Sequence, residues 1–102
     1  MRIYKVDGLE VDLEHRRVVA VGEEVQLTPT EYDLLRLLVT HAGKVLTHNH
    51  ILRQIWGPAY VEQPHLLRVN ISNLRRKIEP EPTRPSYVLT ELGVGYRLKL
   101  KM

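Results

Sequence analysis

Apolar residues recur at every second position in the first quarter of the chain and at every third or fourth through its middle. The change of period divides the sequence into strands and then helices. Ile3, Tyr4 and Val6 precede Asp7-Gly8; Leu9, Val11 and Leu13 then alternate with Glu10 and Asp12. A third run, Arg17 to Val21, closes at Gly22, and Val25 and Leu27 follow. Asp-Gly between two alternating runs is a hairpin signal, and runs this short suit an antiparallel four-stranded meander. One face of that sheet is expected to be apolar, the other acidic and solvated.

From Thr28 the period lengthens. Thr28 can cap a helix, Pro29 suits its first position, and Glu31 completes a capping box. Tyr32, Leu34, Leu35, Leu37, Leu38 and Val39 form a wide apolar stripe, predicted to end near Ala42-Gly43, where glycine can close the helix in a left-handed conformation. A second helix is predicted after Thr47, with Ile51, Leu52, Ile55 and Trp56 toward the core and Gly57-Pro58 as its stop. Pro64 opens a third, to Ile78. Glu79-Pro80-Glu81-Pro82 with Pro85 reads as a rigid connector. Tyr87–Thr90 and Tyr96–Leu100 read as two strands joined around Gly93-Val94-Gly95. Strands, three helices and a hairpin, with no internal repeat, make residues 1–102 one α+β domain.

Composition narrows the class. A chain of 102 residues can bury one core, and the absence of cysteine excludes disulfide staples and thiolate metal sites. No apolar run is long enough to span a bilayer and the N-terminus lacks the apolar segment of a signal peptide, so a cytoplasmic location is expected. The net charge of +3 is unevenly placed: residues 1–33 carry four Lys/Arg against eight Asp/Glu, residues 34–102 eleven against four. Such asymmetry suggests one polyanion-facing side, although chance clustering of surface charge produces it too.

Helix three carries the chemistry. Leu67, Ile71, Leu74 and Ile78 fall on one face as a buried stripe. The opposite face carries His65, Leu66, Val69, Ser72, Asn73 and Arg76, with Asn70 on its flank; Arg68, Arg75 and Lys77 add charge, and residues 65–78 contain no acid. A solvated helix commonly mixes Glu with Lys. Here the residue types suit base edges instead: Asn for adenine, Arg for guanine or phosphate, an aliphatic group for the thymine methyl. A basic helix facing water, or one packing Leu66 and Val69 on a protein partner, explains the same residues. Downstream, Gly93 and Gly95 permit positive φ and close approach to another surface, and Arg97, Lys99 and Lys101 make the hairpin positive. A turn that needs glycine for geometry alone would look the same. Together, helix and hairpin describe a reader for the major groove and a wing for the flanking backbone or minor groove.

The stretches LTPTEYDLLRLL, AGKVLT, ILRQIWG, LLRVNISNLRRKIE and LTELGVGYRL resemble, in order and spacing, the OmpR/PhoB-type response-regulator output domain, over nearly the whole chain. WGPAYVE and EPxRPxYVLTELGVGYR are similar to the branch that controls a potassium-transport operon. The resemblance implies a winged helix-turn-helix that binds double-stranded DNA, with 64–78 in the major groove and 87–100 as wing. It implies DNA contacts at Trp56, Leu66, Asn70, Ser72, Asn73, Arg75, Thr90 and Tyr96. Trp56 can equally be a core residue. Gly57, Pro58, Ala59, Tyr60, Val61, Glu62 and Gln63 occupy the loop that touches RNA polymerase in several members. The resemblance further implies a receiver domain and sensor kinase outside this chain, and weak monomers that pair head to tail on direct repeats. Leu92 stands where some members have an arginine, and Ser72 and Asn73 where members can have arginines, so fewer charged contacts are expected.

Other classes have less support. His48-Asn49-His50 has the wrong spacing for two metal ligands on one helix face, and Ser72 and Ser86 have no evident base; no enzyme, metal or cofactor is expected. Exposed aromatics for stacking RNA bases are scarce. The alternative is a winged-helix protein adaptor, against which the acid-free, amide-bearing third helix counts.

Overall fold

The structure, a computed structural model, describes residues 3–100. Lys101, which adds to the expected charge of the hairpin, lies outside the described residues. Strands β1 (Ile3–Val6), β2 (Leu9–Asp12), β3 (Arg17–Ala20) and β4 (Glu23–Val25) form an antiparallel meander in sequence order. The register pairs Val6 with Leu9, Leu9 with Ala20 and Val11 with Val18, so these apolar side chains share the buried face. Asp7 turns the first hairpin with φ 52°, and the third turn holds both Val21 (φ 51°) and Gly22 (φ 82°) in the left-handed region. A two-residue hairpin of that hand requires this, and valine is costly there. Leu27 lies beyond β4 but still packs against the core.

Helix α1 (Pro29–Thr40) begins as its sequence predicts. Thr28 Oγ1 accepts from the Glu31 amide (3.1 Å), while Glu31 Oε1 accepts from the Thr28 amide (3.0 Å). Tyr32, Leu34, Leu35 and Leu38 are buried; full burial of a leucine side chain contributes about 1.5–3 kcal/mol. The helix stops at Thr40, short of Gly43, whose positive φ instead shapes the following turn and lets its amide reach Leu98 O (2.9 Å).

That turn delivers an element the sequence pattern does not announce, the two-residue strand β5 (Leu46–Thr47). It pairs with β7 (Gly95–Leu98), which also pairs with β6 (Val88–Glu91), so the wing is a three-stranded sheet in the order β5-β7-β6. The last strand is shorter than predicted: Lys99 and Leu100 leave it, and the Lys99 amide bonds Tyr87 O (2.9 Å). Helices α2 (His48–Trp56), capped by Thr47, and α3 (Pro64–Ile78) flank a single 3₁₀ turn at Pro58–Tyr60. The three helices, the inner face of the meander and Val88, Tyr96 and Leu98 of the wing share one core. This is a winged helix.

Candidate nucleic-acid interface

Helix α3 divides cleanly. Leu67, Ile71, Leu74 and Ile78 are at most 1% exposed. On the other side His65, Arg68, Val69, Ser72, Asn73 and Arg76 line an open groove of about 270 Å³. Arg68 and Arg76 have no carboxylate partner among the described residues; Arg76 instead donates to Asn73 Oδ1 (3.3 Å). Such unneutralised guanidinium groups beside amides and a hydroxyl suit a surface that meets phosphates and base edges. Asn70 donates from Nδ2 to Leu66 O (2.9 Å), so one of its donors is already held by its own helix. Leu66 differs from the pair of exposed aliphatics predicted for this face. It is half-buried and packs on the core, leaving Val69 as the exposed aliphatic group there.

Other predicted residues gather at the seam between α3 and the wing. Arg75 donates through Nε (3.1 Å) and Nη2 (2.7 Å) to Val88 O, and through Nη2 to Thr90 Oγ1 (2.8 Å). Its guanidinium also lies 5.6 Å from the centre of the Tyr96 ring. Burial pulls its pKa below the usual arginine range, opposed by the fields of Tyr96 and Glu79; the group stays charged. Arg75 is therefore engaged in holding strand β6 to the helix. Tyr96 is buried, with the His48 ring edge-on at 5.5 Å, whereas Thr90 is exposed.

The two wing glycines separate. Gly93, exposed at the tip, needs its positive φ of 75°. Gly95 does not: it is buried, and a Cβ there would lie 1.8 Å from Leu46 O. The surface it approaches so closely is β5 of its own chain. Trp56 sits half-buried at the end of α2, packed on the core. Gly57 (φ 107°) turns the chain out, and Pro58, Ala59, Tyr60, Glu62 and Gln63 are exposed, with Val61 half-buried.

Two acids that position this surface escape sequence reasoning. Glu79, buried at the C-terminal end of α3, accepts from the amides of Ser86 (2.6 Å), Tyr87 (3.1 Å) and Val88 (2.8 Å), closing the connector into a clasp. A carboxylate is unfavourable at a helix C-terminus, and that misfit is the signal that could have flagged it. Glu31 adds a bond from Lys77 Nζ (2.6 Å) to its capping role, tying the start of α1 to the last turn of α3. Burial pushes its carboxyl up, but Lys77 and the bonds from Thr28 outweigh this, and the net shift is downward.

Comparison with known proteins agrees with this architecture. The family described as "Transcriptional regulatory protein, C terminal" matches residues 22–98. The transcriptional regulatory protein KdpE of Mycobacterium tuberculosis is 42% identical over 97 residues, covering 95% of this chain and 43% of the relative. The KDP operon regulator KdpE of Escherichia coli is 46% identical over 98 residues, covering 96% and 44%. The chain thus spans less than half the length of these curated relatives. Among solved structures, the Thermotoga maritima OmpR/PhoB homolog DrrB superposes with a TM-score of 0.84 at 31% identity, covering 95% of this chain and 44% of that one. The DNA-binding domain of Klebsiella pneumoniae RstA, solved in complex with the RstA box, gives 0.85 at 29% identity, covering 97% and 98%. Among the described residues no helix is long and apolar enough to cross a membrane.

Proposed function

The chain belongs to the OmpR/PhoB-type family of transcriptional regulatory protein C-terminal domains, a class of regulators rather than of enzymes, and from that premise we propose that it binds double-stranded DNA sequence-specifically as the output domain of a two-component response regulator. The observation that carries this reading is the outer face of α3, where Arg68 and Arg76 stand without acidic partners among the described residues, beside amides and a hydroxyl, on a helix anchored by its buried stripe. Residues 64–78 would enter the major groove, with the wing at 87–100 on the flanking groove or backbone. His65, Arg68, Val69, Ser72, Asn73 and Arg76 are the residues best placed to touch DNA. Thr90 and Gly93 follow from the wing; Arg75, Gly95 and Tyr96 serve mainly to hold it.

The similarity to KdpE supports a potassium-transport operon as target. In this reading the exposed loop 57–63 meets RNA polymerase, the domain works in the cytoplasm, and weak monomers pair head to tail on a direct-repeat operator. The controlling receiver domain and sensor kinase lie outside these residues.

The test is a titration at two salt concentrations against a duplex from upstream of a potassium-transport operon and its scrambled version. Tighter binding to the native duplex with a clear salt slope is the expected result. Equal binding to both removes the operon, and no binding to either, by a chain shown to be folded, favours a protein adaptor. Asn73→Ala should lower the ratio between the two duplexes by about 1–3 kcal/mol; a uniform loss across sequences would show that Asn73 does not read bases.

A further inference from the structure

Leu92 is 93% exposed, more than any other large apolar side chain among the described residues, and Val94 beside it is 49% exposed. Single exposed aliphatics are ordinary on a surface. This one stands on a turn that hydrogen bonds close and tie to the start of α2. The Val94 amide closes the turn on Glu91 O (2.9 Å), and Val94 O accepts from the His48 amide (3.3 Å). Arg97 pairs with Glu91 at 2.6 Å, so the carboxylate next to the tip is engaged along the hairpin. Behind the tip, Arg75 fixes β6 to α3. An open depression of about 370 Å³ between α3 and the connector, lined by Arg68, Ser72, Arg76, Pro82 and Thr83 among others, reaches the wing at Tyr96. The wing therefore ends in an uncharged, apolar turn, on a sheet that Arg75 ties to the basic helix.

Resting on the duplex-binding reading above, we propose that Leu92 is a specificity-determining wedge that recognises a deformable step in the minor groove flanking the α3 site. An apolar tip gains nothing from phosphates; its gain comes from leaving water. The thymine methyl lies in the major groove; within the minor groove the apolar surfaces are sugar edges and base faces, and base faces open only where a step unstacks. Pyrimidine–purine steps such as TA and CA/TG unstack most easily, whereas A-tracts are stiff and present a narrow, strongly negative groove suited to a cation. The ligand is thus a duplex carrying a flexible step on the wing side, read by deformation rather than by charge.

The experiment compares wild type, Leu92→Ala and Leu92→Arg on two operator duplexes. These differ only in a TA step or an A-tract at the wing flank, with end-to-end energy transfer reporting bend and salt titration reporting slope. Wild type should favour the TA duplex by roughly fivefold or more and bend it further. Leu92→Ala should lose both the preference and the extra bend with its salt slope unchanged, because no phosphate contact is removed. Leu92→Arg should shift preference to the A-tract and steepen the slope by about 0.9. Wild-type preference and bend retained in Leu92→Ala would overturn the wedge. Failure of the wild type to bind either duplex at low salt would overturn the duplex-binding reading itself, a result the flank comparison keeps distinct.

Discussion

The N-terminal meander and the C-terminal pair of α3 and wing use polar groups in opposite ways. In the meander, most surface charges are matched locally: Lys5 with Glu10 across β1 and β2, and Arg17 with Glu24 across β3 and β4, while His15 bonds Asp12 three residues back. Among the described residues, only the polar groups of Asp7, Tyr4 and Gly8 reach the C-terminal segment, at Lys99 and Tyr87. Exposed pairs such as Lys5–Glu10 and Arg17–Glu24 contribute little, typically under about 1 kcal/mol. The C-terminal half leaves Arg68 and Arg76 without a carboxylate partner among the described residues and draws Glu79 and Arg75 inward to bind main-chain groups. The meander is thus held chiefly by apolar alternation between strands adjacent in sequence, with Tyr4 and Gly8 tying its first hairpin to Lys99 and Tyr87. The proposed DNA-facing half depends on a few polar side chains that reach distant backbone. Those unmatched guanidinium groups stand on the outer face of α3; in the wing Arg97 pairs with Glu91, and Lys99 reaches back to Asp7.

Removing the braces should expose that difference. Glu79→Ala is expected to have the largest effect, because it strands the amides of Ser86, Tyr87 and Val88 in a buried clasp. A loss of about 3 kcal/mol in unfolding free energy by denaturant titration is predicted; a loss below about 1 kcal/mol would mean that the clasp is replaceable by water. Arg75→Met should cost about 2 kcal/mol and speed hydrogen exchange at the β6 amides while the meander amides stay protected. Uniform exchange across both halves would sink the idea of a local strut.

The Glu31–Lys77 link adds a pH dependence. The Glu31 carboxyl is held below its ordinary range in the folded chain, so the unfolded chain binds its proton more readily. This contribution to stability is fully present above the ordinary glutamate value of about 4.3 and is lost as pH falls through the lower folded value. Lys77→Met should flatten that acid limb in a stability–pH profile; an unchanged limb would assign it to other carboxylates. The smallest change should come from the meander. Val21→Asn relieves a valine at φ 51° and is predicted to raise stability by about 1 kcal/mol, seen as a higher denaturation midpoint. A lower midpoint would show that packing by Val21 matters more than its backbone.

Much of this was legible in the sequence because it depends on residues a few positions apart. Alternation at Leu9 and Val11, the Thr28–Glu31 capping box and the Leu67–Ile78 stripe each express a local geometric period, and each appears in the structure as read, whereas Leu13 falls in the turn beyond β2, half-buried. Strand β5 was not legible, since Leu46–Thr47 is too short to show a period and is a strand only because β7 lies beside it. Leu66 was misplaced for a related reason: helical spacing alone does not show how far the neighbouring elements wrap around the stripe.

What the sequence by itself determined is the order of elements, the two faces of α3 and the concentration of positive charge toward the C-terminal half. Tertiary structure alone decided which polar groups remain outside. Arg68, Arg75 and Arg76 are the same kind of residue on one helix, yet Arg75 is taken up by Val88 O and Thr90, while Arg68 and Arg76 meet no carboxylate among the described residues and Arg76 bonds only Asn73 of its own helix. That outcome depends on where a strand more than ten residues downstream comes to rest. Periodicity along a chain carries no information about which distant carbonyl will meet a given side chain, because that meeting is set by packing of the whole core.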